Sequence, residues 1–159
     1  MAEAHLLHEL VGVAAGRWPD ARALTSGQQT LSYSALHDAI GAFAAGLVDL
    51  GLRRGDRVGI YLEKRFETVI ASFGAAAAGG AFVPMNPILK PEQVGYIARD
   101  CDVRFLVTSP ERLETLRPIL AQCESLRCII STEAPDGAKA LPGPEVLSWV
   151  GVLQSGARP

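Results

Sequence analysis

Apolar positions along the chain change period several times, and those changes divide it into alternating helices and strands. Leu7, Val11 and Ala14 recur at helical spacing ahead of Trp18-Pro19-Asp20, predicting a short opening helix that stops before the proline. A brief extended segment from Ala23 to Leu31 follows, turned at Ser26-Gly27. Leu36, Ile40, Phe43, Leu47 and Leu50 then form the clearest stripe in the chain, a helix with Ser32 as its N-cap and Gly51 as a left-handed cap.

Strand–helix units come next. Val58 to Leu62 is an apolar run of strand length, after which Phe66, Val69, Ile70 and Phe73 take up helical spacing. Ala81-Phe82-Val83 is a second strand, ended by Pro84 and Pro87; Pro91 suits the first turn of a helix whose inner face is Val94, Ile97 and Cys101. Phe105-Leu106-Val107 is a third, with Ser109 as cap and Pro110 as first helical residue before Leu113, Leu116 and Leu120. Pro118 is expected to kink or divide that helix. A last strand, Leu126 to Ile130, precedes a stretch with Pro135, Gly137, Pro142, Gly143 and Pro144, and Glu145 to Gln154 reads as one short helix. The expectation is a doubly wound α/β unit over residues 1–130, its mostly parallel sheet covered by helices on both faces, with 131–159 as a linker-like tail.

Charge and cysteine content narrow the class without changing the fold. The net charge is −2 with both signs interspersed, so no basic footprint for nucleic acid is present. The chain opens without a basic segment followed by an apolar one, and Ser72, Gly74, Gly79 and Gly80 break the Ala71–Ala81 stretch, so neither a signal peptide nor a membrane span is predicted. Cys101, Cys123 and Cys128 form no CxxC pair and no even set, which reads as reduced, buried thiols of a cytoplasmic protein.

Candidate chemistry is sparse. Gly79-Gly80 follows a helix and precedes a strand, the reverse of a phosphate-binding turn, and so reads as a helix cap. His5, His8 and His37 have no ligand partners at metal spacing, and no nucleophile elbow supports a Ser-His-Asp arrangement. Glu63-Lys64-Arg65 lies beyond a strand's carboxyl end, where open α/β sheets place ligands, but reads first as a helix start. Arg53, Arg54 and Arg57 form a basic turn, expected to be solvated rather than phosphate-binding.

Taken together and in order, Thr30-Leu31-Ser32-Tyr33-Ser34-Ala35-Leu36, Gly51-Leu52-Arg53-Arg54-Gly55-Asp56-Arg57-Val58 and Ala78-Gly79-Gly80-Ala81-Phe82-Val83-Pro84-Met85-Asn86-Pro87 resemble the opening motifs of the AMP-forming adenylating enzymes. The likeness runs from about Leu7 to Thr108. Within that family, Tyr61 to Val69 and Leu89 to Gln93 resemble acyl-CoA ligases associated with bacterial exosortase systems. Ala35 stands where relatives often carry a Glu, and Ala77 or Ala78 where many carry a lysine. The resemblance implies a ligase that uses Mg2+-ATP to turn a carboxylic acid into an acyl-adenylate and then passes the acyl group to a thiol, usually that of CoA. It also implies that the groups for this chemistry come later in such chains. The Ser/Thr/Gly-rich loop ending in Pro-Lys, the Tyr-Gly-x-Thr-Glu segment, the ribose-binding Asp and the lysine of the mobile C-terminal domain have no counterpart before Pro159. By the same resemblance Asn86 falls near the pantetheine channel and Arg112 near the CoA phosphates, against plainer readings as a loop-capping Asn and a surface Arg. A piece of such an enzyme is expected to be inactive, to pair with the rest of the ligase, and to self-associate through apolar surface. A free-standing module binding acyl-CoA or a protein partner is the alternative.

Overall fold

The computed structural model describes residues 3–133 and 143–156. Helix α1 (Glu9–Arg17) leads into a hairpin of β1 (Arg22–Ser26) and β2 (Gln29–Ser32), then α2 (Tyr33–Asp49). The remaining elements are β3 (Arg57–Tyr61), α3 (Phe66–Ala77), β4 (Ala81–Pro84), α4 (Pro91–Asp100), β5 (Val103–Thr108), α5 (Pro110–Leu120), β6 (Cys128–Ser131), β7 (Glu145–Ser148) and α6 (Trp149–Gly156). The β1–β2 pair is antiparallel and separate. The main sheet is five-stranded, in the order β4-β3-β5-β6-β7, with every pair parallel.

Side chains alternate across this sheet, and each set meets different helices. Val58, Ile60, Phe105, Val107, Cys128 and Ile130 join the buried residues of α2, α3 and α6. Tyr61, Leu106 and Ile129 face the other way, with Val94 and Ala98 of α4 and Leu113, Leu116 and Leu120 of α5. Both faces are covered, as the strands' unbroken apolar runs require.

Local signals act as expected at several points. Ser32 Oγ accepts the Ala35 N–H at 3.2 Å and caps α2. Gly51 and Gly79 both take positive φ at helix ends, and Pro91 opens α4. His37 is exposed.

Other expectations need correction. The tail is not simply a linker, since Glu145–Ser148 pairs in parallel with β6 and only Trp149–Gly156 is helical. Trp149 stacks on Phe43 of α2 with ring centroids 4.5 Å apart, which draws α6 into the core. Residues Pro135, Gly137 and Pro142 lie outside the described residues. Pro118 does not divide α5, because it sits in the last turn, where the one helical bond it forgoes is to Glu114. Ser109 occupies the N-cap position of α5, but its side chain makes no capping bond to the helix backbone. Cys123 and Cys128 are buried as expected, whereas Cys101 ends α4 only partly buried. Helix α1 starts at Glu9, leaving Leu7 exposed.

Candidate functional site

The path of the chain defines where a site belongs. From β3 the chain steps through α3 to β4 at one edge, then returns through α4 on the opposite face to β5 on the other side of β3. Connections therefore leave β3 and β5 in opposite directions, and the crevice beyond their carboxyl ends is the topological switch point at which doubly wound folds hold ligands.

Three segments border that crevice. Glu63, Lys64 and Arg65 follow β3, residues 85–90 follow β4, and Ser109 to Arg112 follow β5. Arg112 is the centre of the arrangement. Its guanidinium lies 4.6 Å over the Tyr61 ring, its Nε is 3.2 Å from Glu63 Oε2, and its Nη1 donates to the Pro87 carbonyl at 2.9 Å. The Tyr61 hydroxyl donates to the Leu89 carbonyl at 2.7 Å. Asn86 accepts the Ile88 N–H on its own side-chain oxygen at 3.1 Å, the turn geometry favoured by Asn. Asn86 and Arg112 are thus both anchored in or on the same loop, through separate bonds.

The two arginines at this rim are already paired with carboxylates. Arg65 makes a two-point contact with Glu67, Nε to Oε2 at 2.8 Å and Nη2 to Oε1 at 3.0 Å, and that bond raises the arginine's pKa further. Glu63's own backbone N–H and then Arg112 hold its carboxyl below the usual range. The Ser109 hydroxyl does the same for Glu111. Glu63-Lys64-Arg65 thus combines the two readings made of it, a helix start and a position on the rim.

The opposite end of the sheet is structural. Arg57 donates to the carbonyls of Cys101, Gly55 and Asp102 and pairs with the Asp102 carboxylate at 3.4 Å. It cannot also serve a phosphate. Gly79, with φ of 84°, closes the turn there by accepting the Gly55 N–H at 2.8 Å.

Arg65 and Arg112 are committed to carboxylates, and the turns after β3, β4 and β5 contain no glycine that would let backbone N–H groups approach a phosphate. Among the described residues no helix is long and apolar enough to cross a membrane.

A two-faced parallel sheet with its switch point at the rim defines a doubly wound α/β unit. The model of the AMP-binding enzyme family matches residues 12–154, and the chain belongs to that family. It is 32% identical over 148 residues to nonribosomal peptide synthetase 8 of Aspergillus fumigatus, covering 91% of this chain and 2% of that protein. It is 36% identical over 116 residues to N-(5-amino-5-carboxypentanoyl)-L-cysteinyl-D-valine synthase of Streptomyces clavuligerus, covering 72% of this chain and 14% of that one. Among solved structures, the anthranilate CoA ligase AuaEII superposes with a TM-score of 0.82 at 22% identity, over 97% of this chain and 29% of the ligase. The N-terminal subdomain of Klebsiella oxytoca NpsA superposes with a TM-score of 0.68 at 23% identity, over 94% of this chain and 32% of that one. The chain therefore spans a small part of the relatives it matches, and its fold is that of the N-terminal subdomain of adenylate-forming enzymes.

Proposed function

We propose that this chain is the N-terminal portion of an ATP-dependent, AMP-forming carboxylic acid–CoA ligase. The complete enzyme would activate a carboxylate as an acyl-adenylate, with Mg2+ assisting, and transfer it to the CoA thiol. The observation that carries this reading is the family match over residues 12–154, together with a carboxyl-end rim whose arginines are already paired. The scaffold would border the site while cationic and N–H donors for the phosphate under attack arrive from the rest of the ligase. Asn86 and Arg112 are proposed on the thiol side, where the Arg112 Nη2 stands outside the bonds named above. The exosortase-associated type, supported by the resemblance at Tyr61–Val69 and Leu89–Gln93, is the subclass to test first. Soluble cytoplasmic residence goes with this reading. Exposed Leu6, Leu10 and Trp18 on and beside α1 favour self-association of the isolated portion, or cover by the rest of the ligase.

A second reading has a specific observation behind it. The peptide synthetases among the relatives support a carrier-protein thiol as the acceptor in place of CoA. Thioester formation by the complete reading frame, supplied with ATP, Mg2+ and a panel of carboxylic acids, distinguishes the two. Acyl-CoA as product supports the ligase. Loading of a phosphopantetheinylated carrier without acyl-CoA supports the second reading, and no acid-dependent AMP release with either acceptor rejects both.

A further inference from the structure

Residues 85–90 join β4 to α4 without regular structure, and Ile88 at the tip is 83% exposed. Such a segment is ordinarily mobile. Here its backbone is tied at successive points. Met85 N–H donates to the Ile60 carbonyl at 2.9 Å, Leu89 N–H to the Asn86 carbonyl at 3.0 Å, and Lys90 N–H to the Gln93 side chain at 2.9 Å. Two further ties come from side chains distant in sequence: Arg112 of α5 to the Pro87 carbonyl and Tyr61 of β3 to the Leu89 carbonyl.

We infer that Arg112 is a positioning residue, which with Tyr61 holds loop 85–90 in one conformation beside the carboxyl ends of β3 and β5. The Tyr61 ring lies 4.6 Å beneath the guanidinium and restrains it from one side, and Glu63 takes its Nε. The Nη1 is then left aimed at Pro87, and the loop carbonyl finds a charged donor in a fixed place. The same contact restrains the Tyr61 ring whose hydroxyl holds Leu89. A lysine carries the charge on a compact ammonium and cannot stack, meet Glu63 and reach Pro87 in this fork geometry. The outcome is a rigid loop that presents the apolar Ile88 at the edge of the switch-point crevice. This inference rests on side-chain geometry and not on the ligase reading, so either can fail without the other.

The test is amide hydrogen exchange on the 159-residue chain, reading the Ile88, Leu89 and Lys90 amides, with a denaturant midpoint for each variant. Arg112→Met should speed exchange at these amides by at least about tenfold, the loss of a hydrogen bond to a charged group, while amides of β5 and α2 keep their rates. Arg112→Lys should recover only part of the protection. Wild-type loop exchange in Arg112→Met, acceleration spread evenly over the whole chain, or full recovery by Arg112→Lys would each overturn the inference. Should Arg112→Met fail to fold, Tyr61→Phe removes one hydroxyl donor only. A few-fold faster exchange confined to the loop then supports the inference, and an unchanged rate overturns it.

Discussion

On one face of the sheet α6 meets α2 through glycines pressed against backbone, whereas on the other α4 meets α5 through a glycine pressed against a side chain. A Cβ on Gly46 would run into the Val152 carbonyl, and one on Gly156 into the Ala42 carbonyl. A Cβ on Gly95 would meet the Cγ2 methyl of Ile119. Backbone yields less readily than a side chain, so the α2–α6 contact should tolerate a methyl less well than the α4–α5 contact. The first is also closed from far along the chain, by Trp149 on Phe43, while α4 and α5 of the second flank the single strand β5.

The hardest blow to this asymmetry is Trp149→Ala, which removes a buried aromatic from the first face. Chemical denaturation should report a loss of about 3–5 kcal/mol, and a loss under about 1 kcal/mol would mean that α6 is only loosely attached. Gly46→Ala should follow at up to about 3 kcal/mol, because the added methyl confronts a carbonyl. Gly95→Ala should cost less, about 1–2 kcal/mol, because the half-buried Ile119 side chain on α5 must shift although its β-branched rotamer is stiff. If the two glycine variants lost equal stability, the distinction between the faces would be wrong.

Thiol labelling sharpens the same comparison. Burial pushes the Cys128 thiol, under the α2–α6 face, up to about 12, and raises that of Cys123 on the other face as well. In the native protein alkylation should reach the partly buried Cys101 first, then Cys123, with Cys128 last. Mass spectrometry of partially labelled protein gives the order directly.

The smallest effect lies at the rim. Glu63 has its carboxyl pKa depressed on folding, so its contribution is present above the unfolded value and fades as pH falls through the lower folded value. Glu63→Gln should flatten that acidic part of the stability profile, by less than about 1 kcal/mol because the side chain is half exposed. Acid titrations of the wild-type and variant proteins, followed by circular dichroism, would reveal an unaltered profile if the Glu63 carboxylate, held by its own backbone N–H and then by Arg112, contributes nothing.

What could be read from sequence follows the same division. Units such as β3-α3-β4-α4-β5 announce themselves because period, caps and prolines are local: the Leu36–Leu50 stripe, Gly51, Gly79 and Pro91 all act where they stand. The end of the chain does not. Glu145–Ser148 is too short for its period to separate strand from helix, and its fate depends on β6 and on a tryptophan docking against a helix near the other end. At the rim Asn86 as a turn former was visible in the sequence, since its bond spans two residues. The Arg112 contacts were not, since Glu63 and Pro87 come from other strand ends and only the sheet order brings them together.

ATP–pyrophosphate exchange in the presence of carboxylic acids tests the central claim most directly, run on the 159-residue chain and on a chain extended through the following reading frame. The account predicts exchange by the extended protein and none by the 159 residues alone. Acid-dependent exchange by the 159-residue chain would contradict it, because the adenylation chemistry would then lie within residues placed here as scaffold.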